Sequence, residues 1–122
     1  MTKERLSLGR MGEDVAAKIL KGVGYRIIDR NYRCRGGEVD IVALDDETVV
    51  FVEVKTRSSE EYGPPQLAVD KRKQRQLARV AMTYLKEKKL LRWPARFDVV
   101  GIVVSGESRD IEHIKNAFDV VE

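Results

Sequence analysis

One cysteine and one histidine in a chain of 122 residues remove whole classes of chemistry before any motif is sought. Cys34 has no partner for an intramolecular disulfide, and Cys34 with His113 is too small a set for a Cys/His zinc cluster. The usual Cys–His and Ser–His nucleophilic arrangements fall away too, unless His113 meets a serine. A metal here would be held mainly by oxygens, which points to Mg²⁺ or Mn²⁺. Long apolar runs are also missing: none approaches the roughly 18 residues that span a bilayer. The first twenty residues lack the apolar core and small-residue cleavage site of a signal peptide, so a cytoplasmic protein with no membrane contact is expected. Repeats, low-complexity tracts and long linkers are absent, and residues 1–122 are expected to form a single domain.

What is present is charge, unevenly placed. The net charge is only +3, yet Glu38 to Glu53 holds six acidic residues and no basic one. Asp70 to Arg92 holds nine basic residues against two acidic. An acidic centre beside a basic segment suits a metal site that meets phosphates, although charge alone equally describes a solvated helix face.

The hydrophobic pattern predicts a helix from about Gly9 to Val23, with Met11, Val15, Ile19, Leu20 and Val23 at helical spacing. Glu13 lies at the edge of that face. Three strands follow, Tyr25–Arg35, Glu38–Leu44 and Thr48–Lys55, joined by Gly36-Gly37 and Asp45-Asp46 turns into an antiparallel meander. The third is apolar without alternation until Glu53, as expected of a central strand covered on both faces. Asp70 is a good N-cap for a helix running to about Lys88, with Leu77, Val80, Ala81, Tyr84 and Leu85 as its apolar stripe. Arg96–Val104 is a fourth strand, containing Asp98, and Ile111–Ile114 a short edge strand. The expected fold class is α/β, with helices packed on a mixed sheet.

Within "GGEVDIVALDDETVVFVEVKTR", residues 36 to 57, charged groups interrupt strands otherwise built of valine. Glu53 and Lys55, two apart on one strand, project to the same face. If Asp40 stands in matching register, two carboxylates meet, and a divalent cation would relieve their repulsion. Lys55 would then orient a water or offset charge on a phosphoryl group. The plain alternative is a Glu53–Lys55 ion pair at a strand end, with Asp40 in a turn contact.

The motif "GEVDIVALDDETVVFVEVKTR" resembles the core of the PD-(D/E)XK nuclease superfamily, especially archaeal Holliday-junction resolvases. "GRMGEDVAAKILKGVGYRIIDRNYR", "RFDVVGI" and "HIKNAF" extend the likeness to the YraN-like family of small bacterial proteins, over almost the whole chain. Val39 stands where the superfamily's nominal motif has proline. The resemblance implies a restriction-endonuclease-like α/β/α sandwich of order α-β-β-β-α-β. It implies Asp40 and Glu53 as metal-binding carboxylates, Lys55 as the catalytic lysine and Glu13 as the first-helix carboxylate that completes the metal site. Glu38 is given at most a supporting role behind these, and Gln76 matches a glutamine or lysine that some members place on the second helix. The implied activity is Mg²⁺- or Mn²⁺-dependent cleavage of branched or structured DNA, rather than RNA, by a homodimer.

Lys71, Arg72 and Lys73 put three cations in the first turn of the second helix, against its dipole. A phosphate backbone would offset that cost, so Lys71, Arg72, Lys73, Arg75, Gln76 and Arg79 are candidate nucleic-acid contacts. Thr56, Arg57, Ser58 and Ser59 are further candidates on the loop after the catalytic strand. The competing function class is a non-catalytic nucleic-acid-binding or scaffold protein that keeps the nuclease fold.

Overall fold

A computed structural model describes residues 3–58 and 64–119. The order is α1 (Lys3–Gly22), β1 (Arg26–Cys34), β2 (Gly37–Asp45), β3 (Thr48–Ser58), a short 3-10 turn (Pro65–Ala68), α2 (Lys71–Glu87), β4 (Ala95–Ser105) and β5 (Ser108–Ile114). The strands lie in sequence order in one sheet, antiparallel except for β3 against β4. The sheet is mixed, as expected, because β3 returns to β4 through α2. The first helix begins six residues earlier than the sequence pattern predicts, and the edge strand starts at Ser108 rather than Ile111.

The sheet buries both faces, and β3 divides the core. Val49 and Phe51 pack with Leu77, Val80, Ala81 and Tyr84 of α2. Val50 and Val52 pack with Ala16, Ala17 and Leu20 of α1. This is the physical meaning of a strand without alternation: each side chain has an apolar layer to enter. Gly101 makes room for Pro65, which lies where a Cβ on β4 would stand, and so seats the 3-10 turn against the sheet.

Local chemistry fixes the helix ends. The N–H of Tyr25 bonds the carbonyl of Leu20 at 2.9 Å and the N–H of Gly24 that of Lys21 at 3.0 Å, around Gly24 at φ +97°. That is a Schellman ending, with buried Tyr25 and Leu20 as its apolar contact. Asp70 caps α2 by accepting from the Lys73 N–H at 2.8 Å. At its other end Leu90 bonds back to Leu85 at 2.8 Å around Lys89 at φ +59°, where glycine is the usual residue.

Asp98, the carboxylate of β4, is 1% exposed and fully occupied. It accepts from Arg96 Nε at 3.0 Å and from the Asn116 N–H at 3.0 Å, lies 2.8 Å from His113 Nε2, and has the Tyr25 hydroxyl at 3.4 Å. Burial raises its pKa, but hydrogen bonds from His113, Asn116 and Arg96 outweigh that and hold it below the ordinary carboxylate value. Phe118 stacks on Phe97, and the Ala117 N–H bonds the Phe97 carbonyl at 2.8 Å. The "HIKNAF" segment is thus a strap fastened to β4. Among the described residues no helix is long and apolar enough to cross a membrane.

Lys89 gives the first test. Lys89→Gly is expected to stabilise the fold by roughly 0.5–1 kcal/mol, since only the left-handed backbone conformation is relieved. Chemical denaturation of the two proteins measures it, and a loss of stability would refute the account of this helix end.

Candidate functional site

The β2–β3 ladder runs from Asp45 opposite Thr48 to Ile41 opposite Val52, and there it stops. One step further, Asp40 and Glu53 come abreast. No backbone pair forms there; the Asp40 carboxylate instead accepts the Val54 N–H at 2.8 Å. The pleat also slips at Asp40, because its neighbours Val39 and Ile41 belong to opposite cores. Across β1 the slip is matched at Asn31, which has φ +54° and no partner in the β1–β2 register. Asp40 therefore points between two strands rather than off either face.

Glu53 keeps the phase of Phe51, on the α2 side, and is 4% exposed. Two ammonium groups reach it: Lys55 Nζ and Lys73 Nζ each lie 3.7 Å from Glu53 Oε2. The Asp40 and Glu53 carboxylates are neighbours close enough for each to shift the other's hold on a proton. Burial and then the Asp40 charge push Glu53 up to about 7, against the pull of Lys73 and Lys55. Burial also raises Asp40, opposed chiefly by the Val54 N–H and the bond with Glu53.

Glu13 approaches from the α1 side. Burial, then the charge of Asp40, raises its pKa, while a hydrogen bond with the Asn31 side chain and the charge of Arg30 lower it. Arg30 lies 3.9 Å from Glu13 and 2.8 Å from Asp14. Asp40 is thus the common neighbour of Glu13 and Glu53. Among the described residues no three acidic, histidine or cysteine side chains form a ready metal cage. The arrangement is a carboxylate pair with a third carboxylate at its flank.

The packing that places Glu13 is visible at the residue before it. A Cβ on Gly12 would collide with Thr56 Oγ1 of β3. The glycine thus lets α1 lie close on the strand that carries Glu53 and Lys55. The sequence named Glu13 but missed Gly12 and Thr56 as the contact that sets its depth.

The other candidates separate by position. Lys73, expected as a nucleic-acid contact, touches Glu53. Lys71, Arg72, Arg75 and Arg79 are exposed, and Gln76 is half-buried against Gly37. Glu38 pairs with Arg33 at 2.9 Å on the β1–β2 hairpin. Arg57 is half-buried near the end of β3, and Ser59 lies outside the described residues. Cys34 is a free, half-buried thiol on the same hairpin.

Buried Glu53 and half-buried Asp40, both with raised pKa, have oxygen donors to offer a hard cation. Mg²⁺ is commonly held by one or two carboxylates with several waters kept, so Asp40 and Glu53 fit it, and Mn²⁺ equally.

Residues 12–102 match the model of the uncharacterised protein family UPF0102. A UPF0102 protein of Geobacter metallireducens is 53% identical over 120 residues, covering 98% of each chain. One from Geobacter sulfurreducens is 57% identical over 114 residues, covering 93% of this chain and 89% of its own. One from Syntrophus aciditrophicus is 49% identical over 117 residues, covering 96% and 92%. Among solved structures, Pyrococcus furiosus SfsA in complex with Ca²⁺ gives a TM-score of 0.36 at 16% identity, over 92% of this chain and 63% of that one, too distant to bear on fold or function.

Two outcomes are expected of this geometry. Glu53 binds its proton more tightly folded than unfolded, so without divalent cations its contribution to stability is full below about pH 4.5 and is lost as pH rises through about 7. Glu53→Gln is expected to remove that dependence and to melt a few degrees above wild type at pH 8 in chelator, roughly 2–8 °C. Melting curves from pH 5 to 8 decide this; parallel curves would mean that the pair holds no such proton. Gly12→Ala is expected to cost roughly 1–3 kcal/mol by overpacking, and Thr56→Ala in the same chain to recover most of it.

Proposed function

The chain belongs to the UPF0102 family, the YraN-like group of PD-(D/E)XK nuclease-like proteins, and we propose that it is a metal-dependent nuclease hydrolysing phosphodiester bonds in DNA. One observation carries the proposal: the Asp40–Glu53 pair at the β2–β3 fork, with Lys55 and Lys73 both 3.7 Å from Glu53. Two carboxylates brought together where one is buried cost the sheet stability, which supports a role in binding. Mg²⁺ or Mn²⁺ on this pair would supply a Lewis acid for a phosphodiester oxygen and lower the pKa of a bound water.

The chain's own groups divide the remaining work. Asp40 is held by the Val54 N–H and cannot swing away without leaving that donor unpaired. Glu53 is held between two lysines. Lys55 and Lys73 are placed to offset negative charge that grows on the phosphoryl oxygens, where low dielectric strengthens their effect. Glu13, which feels the charge of Asp40 from the α1 side, would complete the metal site. Branched DNA as substrate and a homodimer as the working form follow from the likeness to junction resolvases alone.

The test is incubation with junction, flap and linear duplex DNA in Mg²⁺ or Mn²⁺. Wild type is expected to cut at least one of these shapes. Asp40→Asn, which keeps an acceptor for Val54, and Glu53→Ala are each expected to lose roughly a hundredfold or more in rate. Calorimetric titration with Mn²⁺ should give one event in wild type and none in Asp40→Asn. Equal cutting by wild type and Glu53→Ala would sink catalysis at this site. Salt-dependent DNA binding indifferent to metal and to Asp40→Asn, with no cutting, would favour the non-catalytic alternative.

A further inference from the structure

Beside the carboxylate pair lies an open cleft of about 430 Å³, between the β1–β2 hairpin and the first turns of α2. We propose that this cleft holds the phosphate backbone of the substrate strand next to the bond that is cut. The inference rests on the nuclease proposal and adds to it the path of the strand and two residues, Arg33 and Arg35, that the motif does not include.

The cleft adjoins the site through a shared residue. Lys73 lines it and also reaches Glu53 at 3.7 Å. Its other charged lining groups are Arg33, Arg35 and Glu38, so three cations stand against one carboxylate. That carboxylate is engaged, since Glu38 Oε2 accepts from Arg33 Nε at 2.9 Å, an approach that leaves the terminal amino groups of the guanidinium able to meet a phosphate. The Arg33 side chain is 78% exposed, so water is the chief competitor for those groups.

The wall carrying the arginines is docked rather than loose. Gly37 adopts φ +139°, and a Cβ there would stand 2.6 Å from Gln76 Nε2. The missing side chain lets the hairpin close onto Gln76, and a Cβ on Gly36 would come 3.8 Å from that of Arg79. Gly36-Gly37 thus does more than turn the chain: it holds two arginines facing α2 at a fixed distance. Lys73 and Gln76, three apart on one flank of α2, form the opposite wall.

An acidic peptide would also meet cations here. The strand of a nucleic acid fits better, because the cleft shares Lys73 with the carboxylate pair that would cut it. Contacts of this kind read phosphate rather than base, and predict affinity for many sequences.

The experiment uses full-length Arg33→Ala/Arg35→Ala and the charge-keeping Arg33→Lys/Arg35→Lys, both checked for wild-type melting. Binding of labelled single-stranded and junction DNA is followed by anisotropy with Ca²⁺ replacing Mg²⁺, over a salt series. Mn²⁺ calorimetry and cleavage kinetics run alongside. The alanine pair is expected to bind roughly tenfold or more weakly, with the log–log salt slope reduced by about 1.4–1.8 for two lost phosphate contacts. KM should rise, Mn²⁺ binding should match wild type, and the lysine pair should recover most of the salt slope. A wild-type slope and KM in the alanine pair, while wild type cuts DNA, would overturn the cleft and leave the nuclease proposal standing. Failure of wild type to bind or cut any of the DNA shapes would overturn both.

Discussion

Much of this molecule follows from one hydrogen bond, that of the Val54 N–H to the Asp40 carboxylate. Two antiparallel strands cannot keep their ladder and also bring two carboxylates together between them, because the ladder fills that space with backbone. The ladder therefore ends at Ile41 and Val52, and the N–H it abandons at Val54 needs another acceptor. Asp40 supplies it. The bond that repairs the sheet also aims the side chain into the gap.

The rest of the fold holds that gap open. Val49, Phe51, Val50 and Val52 are locked by cores on both faces, so β3 reaches the fork without freedom to shift register. α1 lies close because Gly12 has no side chain, and delivers Glu13 from one face. α2 starts at the Asp70 cap and delivers Lys73 from the other. Groups from two helices and two strands converge on Asp40 and Glu53, and each arrives on an element whose position packing has already fixed. Such support is what a precise site requires.

The sequence made legible whatever depends on short-range pattern. The uninterrupted apolar run of β3 announced a doubly covered strand, and Asp70 before a basic amphipathic stretch announced a capped helix. Glu53 and Lys55 were legible as a pair because strand geometry alone puts residues two apart on one side. Three things were not. Lys73 looked like one of several cations, because nothing in local sequence tells which face of a helix meets β3. Gly12 looked like any small residue, since its value lies in a contact 44 residues away at Thr56. The slip at Asn31 and Asp40, which turns Asp40 into the plane of the sheet, arises from a pairing failure between strands and leaves no mark on either one. Asp98 teaches the converse: the sequence places it in an apolar strand without a partner, and its partners, including His113 and Asn116, become apparent only with the last segment strapped across β4.

Asp98 and Glu53 are the same problem solved in opposite ways. Both are carboxylates almost wholly removed from water, 1% and 4% exposed, and burial raises the cost of charge on each. Around Asp98 the fold gathers a guanidinium, an imidazole, a backbone N–H and a hydroxyl, enough to hold its pKa below the ordinary value. Its charge is settled by the protein, and it has nothing left to offer. Around Glu53 the fold places a second carboxylate, and two lysines at 3.7 Å do not undo the rise to about 7. The same chain that can satisfy a buried aspartate in β4 leaves this pair in need of a proton or a cation. That contrast with a neighbour so fully supplied is the physical ground for proposing a cation at the fork, since a positive charge is what would relieve the deficit.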